Sequence, residues 1–111
     1  MTIVDITGGI CGFNTTVKTE STAPYTAVFH LESDCANWKK VEEILGGEPL
    51  NAMTELFKNK ATGKLNSKVL EVSLATIPHV SCPVISGILK SIEVSTGLAL
   101  PKDAAITFRD D

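Results

Sequence analysis

Residues 13–32, FNTTVKTESTAPYTAVFHLE, decide the fold. Phe13, Thr15 and Val17 alternate with Asn14, Thr16 and Lys18; further on, Ala27, Phe29 and Leu31 alternate with Val28, His30 and Glu32. A two-residue period belongs to an extended chain, whose successive side chains point to opposite faces. Between the two runs, Glu20 to Pro24 supplies Ser, Thr, Ala and Pro, the chemistry of a hairpin connection. The pattern predicts antiparallel strands over 13–19 and 25–32, with Phe13, Val17, Phe29 and Leu31 on a common apolar face that other elements must cover.

The flanking sequence supplies the cover. Ahead of the hairpin, Thr2 to Ile6 is a β-branched run broken by Gly8-Gly9 and Gly12. Behind it, Ser33-Asp34 offers an N-cap to a helix with Trp38, Val41 and Leu45 on one face and Ile44 beside them. Lys39, Lys40, Glu42 and Glu43 lie outside, and Gly46-Gly47 ends the helix. A second helix is expected over 51–58, with Leu50, Met53, Leu56 and Phe57 as its apolar side, followed by a loop over 60–64. Residues 66–76 fit a strand through Leu70, Val72 and Leu74 and a helix through Val69, Val72 and Thr76; the helix is preferred, with Pro78 stopping it. The last helix has Ser81 as N-cap, Pro83 in its first turn, Ile85, Ile88, Leu89 and Ile92 as its buried face, and Gly97 at its end. Ala104 to Phe108 then predicts a short final strand beyond Pro101. The expected class is α+β: a small antiparallel sheet led by an N-terminal β-hairpin, with helices packed on one face.

A chain of 111 residues, 43% hydrophobic and 21% charged, is one domain over 1–111 with enough core to fold without disulfides. Ten basic against thirteen acidic residues leave a net charge of −3, and the basic residues form no stripe, so nucleic acid is not expected as a partner. No apolar run approaches the roughly 18 residues of a membrane span, and the Met1-Thr2-Ile3-Val4-Asp5 start lacks a basic, then apolar, leader. The expectation is a cytoplasmic protein with no membrane partner.

Three cysteines, an odd number, do not make a disulfide framework. Cys11 sits in the run Gly8-Gly9-Ile10-Cys11-Gly12, whose glycines permit close backbone approach to a ligand. Cys35 and Cys82 each fall at an expected helix N-terminus, where the helix dipole and free N–H groups favour negative charge on sulfur. All three lie outside the regular apolar faces, which sets a functional cluster against the alternative of three small buried hydrophobes. Thiolates suit zinc or iron and not calcium or magnesium. Asp34, next to Cys35, and His79, three residues before Cys82, are candidate fourth ligands for such a site. His30 alternates onto the solvent face of its strand. No P-loop, G-x-G-x-x-G or Ser-His-Asp pattern is present, so nothing names a reaction.

Two resemblances attach to these residues. Gly9-Ile10-Cys11-Gly12-Phe13, Glu32-Ser33-Asp34-Cys35, Cys82-Pro83-Val84 and the stretch Gly97-Leu98-Ala99-Leu100-Pro101-Lys102-Asp103 resemble an uncharacterised family of small three-cysteine proteins from anaerobic microbes, which implies no activity. More distantly, the order of elements is similar to the NifU/IscU-type iron–sulfur scaffolds. These carry one Cys in a Gly-containing turn before a hairpin, one at the strand-to-helix junction after it and one at the start of a late helix. Cys11, Cys35 and Cys82 stand at corresponding places. Ile77-Pro78-His79-Val80-Ser81-Cys82 is similar to the scaffold's L-P-P-V-K-x-H-C segment, and Ser81-Cys82-Pro83 resembles the TSCPD domain. The chain departs from the scaffold at Phe13, where an Asp is usual, at Ser81, where a His is usual, and in lacking the chaperone-contacting Lys.

The leading expectation is a metal ion or cluster, zinc or iron–sulfur, held by Cys11, Cys35 and Cys82 and completed by Asp34 or His79. A second is a thiol/disulfide redox protein using Cys11 and Cys35. A third is an interaction module with buried cysteines that forms a homodimer through a sheet edge or an exposed helix face. If the hairpin forms, Cys11 and Cys35 lie at the same end of it, and a last helix alongside the first brings Cys82 there too.

Overall fold

The backbone hydrogen bonds of the alternating segments close into one sheet. The computed structural model of the protein describes residues 1–110. β1 (Thr2–Thr7), β2 (Asn14–Ala23), β3 (Thr26–Ser33) and the two-residue β4 (Leu50–Asn51) pair in the order β1-β2-β3-β4, every pair antiparallel. Val4 pairs with Val17 and Val17 with Leu31. Four helices complete the α+β arrangement: α1 (Ala36–Leu45), α2 (Ala52–Leu56), α3 (Lys68–Thr76) and α4 (Val84–Ser95).

The period-2 pattern sets which face is buried. Thr15, Val17, Thr19, Ala27, Phe29 and Leu31 point into the core, while Lys18, His30 and Glu32 face outward. On the inner side, Val17, Phe29 and Leu31 join Trp38, Val41 and Leu45 of α1, Val69 of α3, and Ile85, Ile88 and Ile92 of α4 in one cluster. Two inward threonines carry hydroxyls into this core, and both find partners. Thr15 Oγ1 shares a 2.7 Å hydrogen bond with Ser33 Oγ; Thr19 Oγ1 lies 2.7 Å from Ser91 Oγ, which itself donates to the Ile88 carbonyl. Since Ser91 has one proton and spends it on Ile88, Thr19 is the donor in the β2–α4 bond. Gly87 brings α4 closer still: a Cβ there would collide with the Ile6 side chain.

Several expectations are corrected. The β2–β3 turn is tighter than the stretch 20–24: β2 runs on to Ala23, which pairs with Thr26, leaving Pro24-Tyr25 as a two-residue turn with Tyr25 at φ 55°. Phe13 is not core; it precedes β2 and is 46% exposed, because Gly12 at φ 71° turns the chain before the ladder begins. The helix expected over 51–58 is the five-residue α2, and Met53 and Phe57 are exposed where Ala52 and Glu55 are buried. Ile44, expected beside the buried face of α1, is exposed. The N-cap of α1 is Cys35 rather than Ser33-Asp34, and that of α4 is Pro83 rather than Ser81. Residues 104–108 form no strand. The preference for a helix within 66–76 holds as α3, whose start is fixed by Ser67 Oγ accepting from the Leu70 N–H.

Glu55 explains why α2 buries a carboxylate. Its Oε1 accepts from Ser67 Oγ and the Val69 N–H, both at 2.9 Å, and its Oε2 from the Lys68 N–H at 3.0 Å. The side chain of one helix thus satisfies the free N–H groups at the start of another, which also places its negative charge at the positive end of the α3 dipole.

Candidate functional site

In an antiparallel hairpin the loop before the first strand and the chain leaving the second lie at one end. That end holds the cysteines. The β1–β2 loop closes through the Gly8 N–H to the Phe13 carbonyl at 2.9 Å and the Gly12 N–H to the Gly9 carbonyl at 3.0 Å, with Gly9 and Gly12 at positive φ. Cys11 folds back over Gly8: a methyl group on Gly8 would lie 2.5 Å from the sulfur, so the bare glycine makes room for the thiol. Cys35 is the N-cap of α1, its own N–H held by Ser33 Oγ at 3.1 Å. Cys82 lies just before α4.

The three sulfur-bearing residues line one cleft of about 100 Å³ between the hairpin end, α1 and the α3–α4 connection. His79 lines it too. Phe13, Trp38, Ile77 and Val84 supply an apolar wall, with Gly8, Thr15, Asn37 and Pro78 completing it. Among the described residues, three thiols and one imidazole are the ionisable side chains that line the cleft. Ligand pockets for drug-sized molecules run to roughly 300–1,000 Å³, well above this volume, whereas a water takes about 30 Å³ of liquid. The cleft is scaled for an ion with a few ligands or a small inorganic group, and not for a nucleotide or flavin.

Solvent reaches the three cysteines unequally. Cys11 is exposed; Cys35 and Cys82 are half-buried and pack against the core. The helix ends also divide into two kinds. α2 and α3 are capped by the Asn51 and Ser67 side chains, but α1 and α4, which begin at Cys35 and just after Cys82, have no side-chain cap. Their first N–H groups and positive dipole ends therefore receive no N-cap side chain. Among the described residues, no three of the His, Cys, Asp and Glu side chains are already gathered as a metal-holding group; the thiols ring the cleft without meeting in it.

Asp34 does not line the cleft. Its Oδ2 accepts weakly from the Asn14 N–H at 3.5 Å while its own N–H donates to the Asn14 carbonyl at 3.2 Å, so the carboxylate serves the end of the β2–β3 ladder. His30 also lies elsewhere, with Nδ1 3.1 Å from Glu42 Oε1. Sequence reasoning assigned Trp38 to the core alone; it belongs to the core and to the cleft wall. Phe13 was expected under the sheet and lines the cleft instead. The sequence signal for both was their distance from a cysteine, two residues after Cys11 and three after Cys35.

Comparison with family models matches residues 2–108 to DUF6951, described as a family of unknown function. No curated protein and no solved structure matches the chain. None of these comparisons links the chain to the iron–sulfur scaffolds or to the TSCPD domain.

Proposed function

The chain belongs to the DUF6951 family along nearly its whole length, and from its own residues we propose that it binds a soft or borderline metal, as a zinc ion or a small iron–sulfur cluster, through Cys11, Cys35 and Cys82, with His79 as the fourth ligand. One observation carries this reading: three cysteines from distant parts of the chain line a single small cleft whose only other ionisable group, among the described residues, is an imidazole. Three sulfurs and one imidazole nitrogen are a donor set suited to tetrahedral zinc and, with an open or nitrogen-ligated iron, to a cluster. The uncapped starts of α1 and α4 favour the negative charge that thiolate ligands bring. In this reading Cys11, the most exposed of the three, moves toward the other two when the metal is loaded. Reduced thiols of this kind suit the cytoplasm.

The test is direct. Protein purified without oxygen carries zinc or iron in a fixed ratio to the chain, Cys11→Ser removes most of it, and His79→Ala weakens binding. Asp34→Asn leaves metal content unchanged, since that carboxylate does not face the cleft. Metal-free wild-type protein after anaerobic reconstitution overturns the proposal. Should the same protein lose two alkylatable thiols, Cys11 and Cys35, on mild oxidation while taking up no metal, the thiol/disulfide reading replaces it.

A further inference from the structure

The two edges of the sheet differ. Along β3 the outer edge is occupied: β4 pairs with Thr26 and Ala27, the Gly47 N–H donates to the Phe29 carbonyl at 2.9 Å, and the Leu31 N–H donates to Glu42 Oε1 at 3.1 Å. β1 pairs with β2 alone, so the outward row of N–H and C=O groups along Thr2–Thr7 has no partner among the described residues. Natural edges are usually blunted by proline, several charges or a bulge. β1 has one charge, Asp5, no proline, and an unbroken register against β2.

A segment that fits this edge hangs free on the same chain. Ala104–Phe108 has the composition of a strand, yet it is in no strand or helix, and Ile106 and Phe108 are 83% and 95% exposed. Beyond Leu98 no residue makes a hydrogen bond among those described. Gly97 at φ 78° and Pro101 turn this stretch out of α4. In an extended chain Ile106 and Phe108 share one face and Ala105 and Thr107 the other. Set beside β1, the first pair continues the half-buried row of Val4 and Ile6 against α4, and the second pair joins Asp5 on the solvent face. A slip of one residue would turn both large side chains to water, so the pattern selects its own register.

We propose that residues 104–108 of one copy add as a fifth strand to the β1 edge of a second copy, in a reciprocal exchange that closes a two-fold dimer. The second copy is the occupant because within one chain the segment stands clear of β1, with no hydrogen bond beyond Leu98 and none on the outer β1 edge among the described residues, while edge and segment are present on every chain, so reciprocal addition satisfies both and closes at two. The exchange does not depend on what the cysteine cleft holds.

Light scattering across the micromolar range tests it. The full chain is expected at twice the monomer mass, and a chain ending at Asp103 at the monomer mass. Ile106→Asp with Phe108→Asp should also give a monomer, with the circular dichroism and melting of the truncated chain, since neither side chain packs in the monomer. A synthetic peptide of residues 103–109 added to the truncated chain should slow hydrogen exchange at the β1 amides. A full chain that stays monomeric at every concentration overturns the proposal, as does a dimer that survives truncation. Protection of β1 that needs the tail but not concentration also overturns it, because the tail would then be folding back on its own edge.

Discussion

Replacing Glu55 with Ala is expected to cost about 3 kcal/mol, a large fraction of the stability of a domain this size. The carboxylate is 2% exposed and accepts three hydrogen bonds, from Ser67 Oγ and from the Lys68 and Val69 N–H groups. A bond to a charged acceptor contributes about 1.5–3 kcal/mol, but three on one group do not add, and truncation also relieves the burial of the charge. What remains is two backbone donors at the start of α3 left without the acceptor they had. Ser67 Oγ still receives the Leu70 N–H, so the helix keeps half its cap. Glu55→Gln retains one acceptor oxygen and presents an amide NH₂ to a donor it cannot accept, so it should fall between, near 2 kcal/mol. With a urea dependence of about 1.5 kcal/mol per molar, Glu55→Ala shifts the unfolding midpoint down by about 2 M, read by far-ultraviolet circular dichroism. A shift under about 0.3 M, or Gln and Ala variants of equal stability, would refute the view that this side chain anchors α3.

Two further changes probe the packing. Gly87→Ala should gain about 1 kcal/mol of helix propensity and lose more through the clash with Ile6, for a net destabilisation of about 1 kcal/mol in the same urea titration; a stabilised variant would mean that α4 moves off β1 freely. Ser73→Ala should be neutral or stabilising by up to about 1 kcal/mol, because the buried Ser73 hydroxyl has no hydrogen-bond partner among the described residues; a loss of stability would point to a partner it does have.

The hairpin was legible because each position of its alternating run states its own side, and burial of Val17, Phe29 and Leu31 follows that alternation. The convergence of Cys11 and Cys35 was legible for the same reason, since it needs only antiparallel pairing. Residues 66–76 were ambiguous because the bonds that fix α3 come from Glu55, twelve or more residues earlier in the chain, and no local pattern reports them. The same carboxylate misled the reading of α2. A charged residue buried to cap a neighbour looks, from periodicity alone, like a solvent-facing one, and Met53 and Phe57 were put inside in its place. Phe13 was misplaced because alternation cannot see a glycine turning the chain just before the strand starts. At 104–108 the pattern predicted a strand that does not form, because a strand needs a partner and period says nothing about whether one is present in the same chain.

Trp38 is the only tryptophan of the chain, and its indole is both 2% exposed in the core and part of the cleft wall beside Cys35. Its emission is therefore a single optical reporter with two masters. An iron ion, a cluster absorbing in the near ultraviolet, or a disulfide formed across the cleft would each quench it in the folded protein, while unfolding would shift it to the red as the ring meets water. Intensity at fixed wavelength maximum reads the occupancy of the cleft, and the wavelength of that maximum reads the integrity of the fold. No engineered label is needed to follow the two apart.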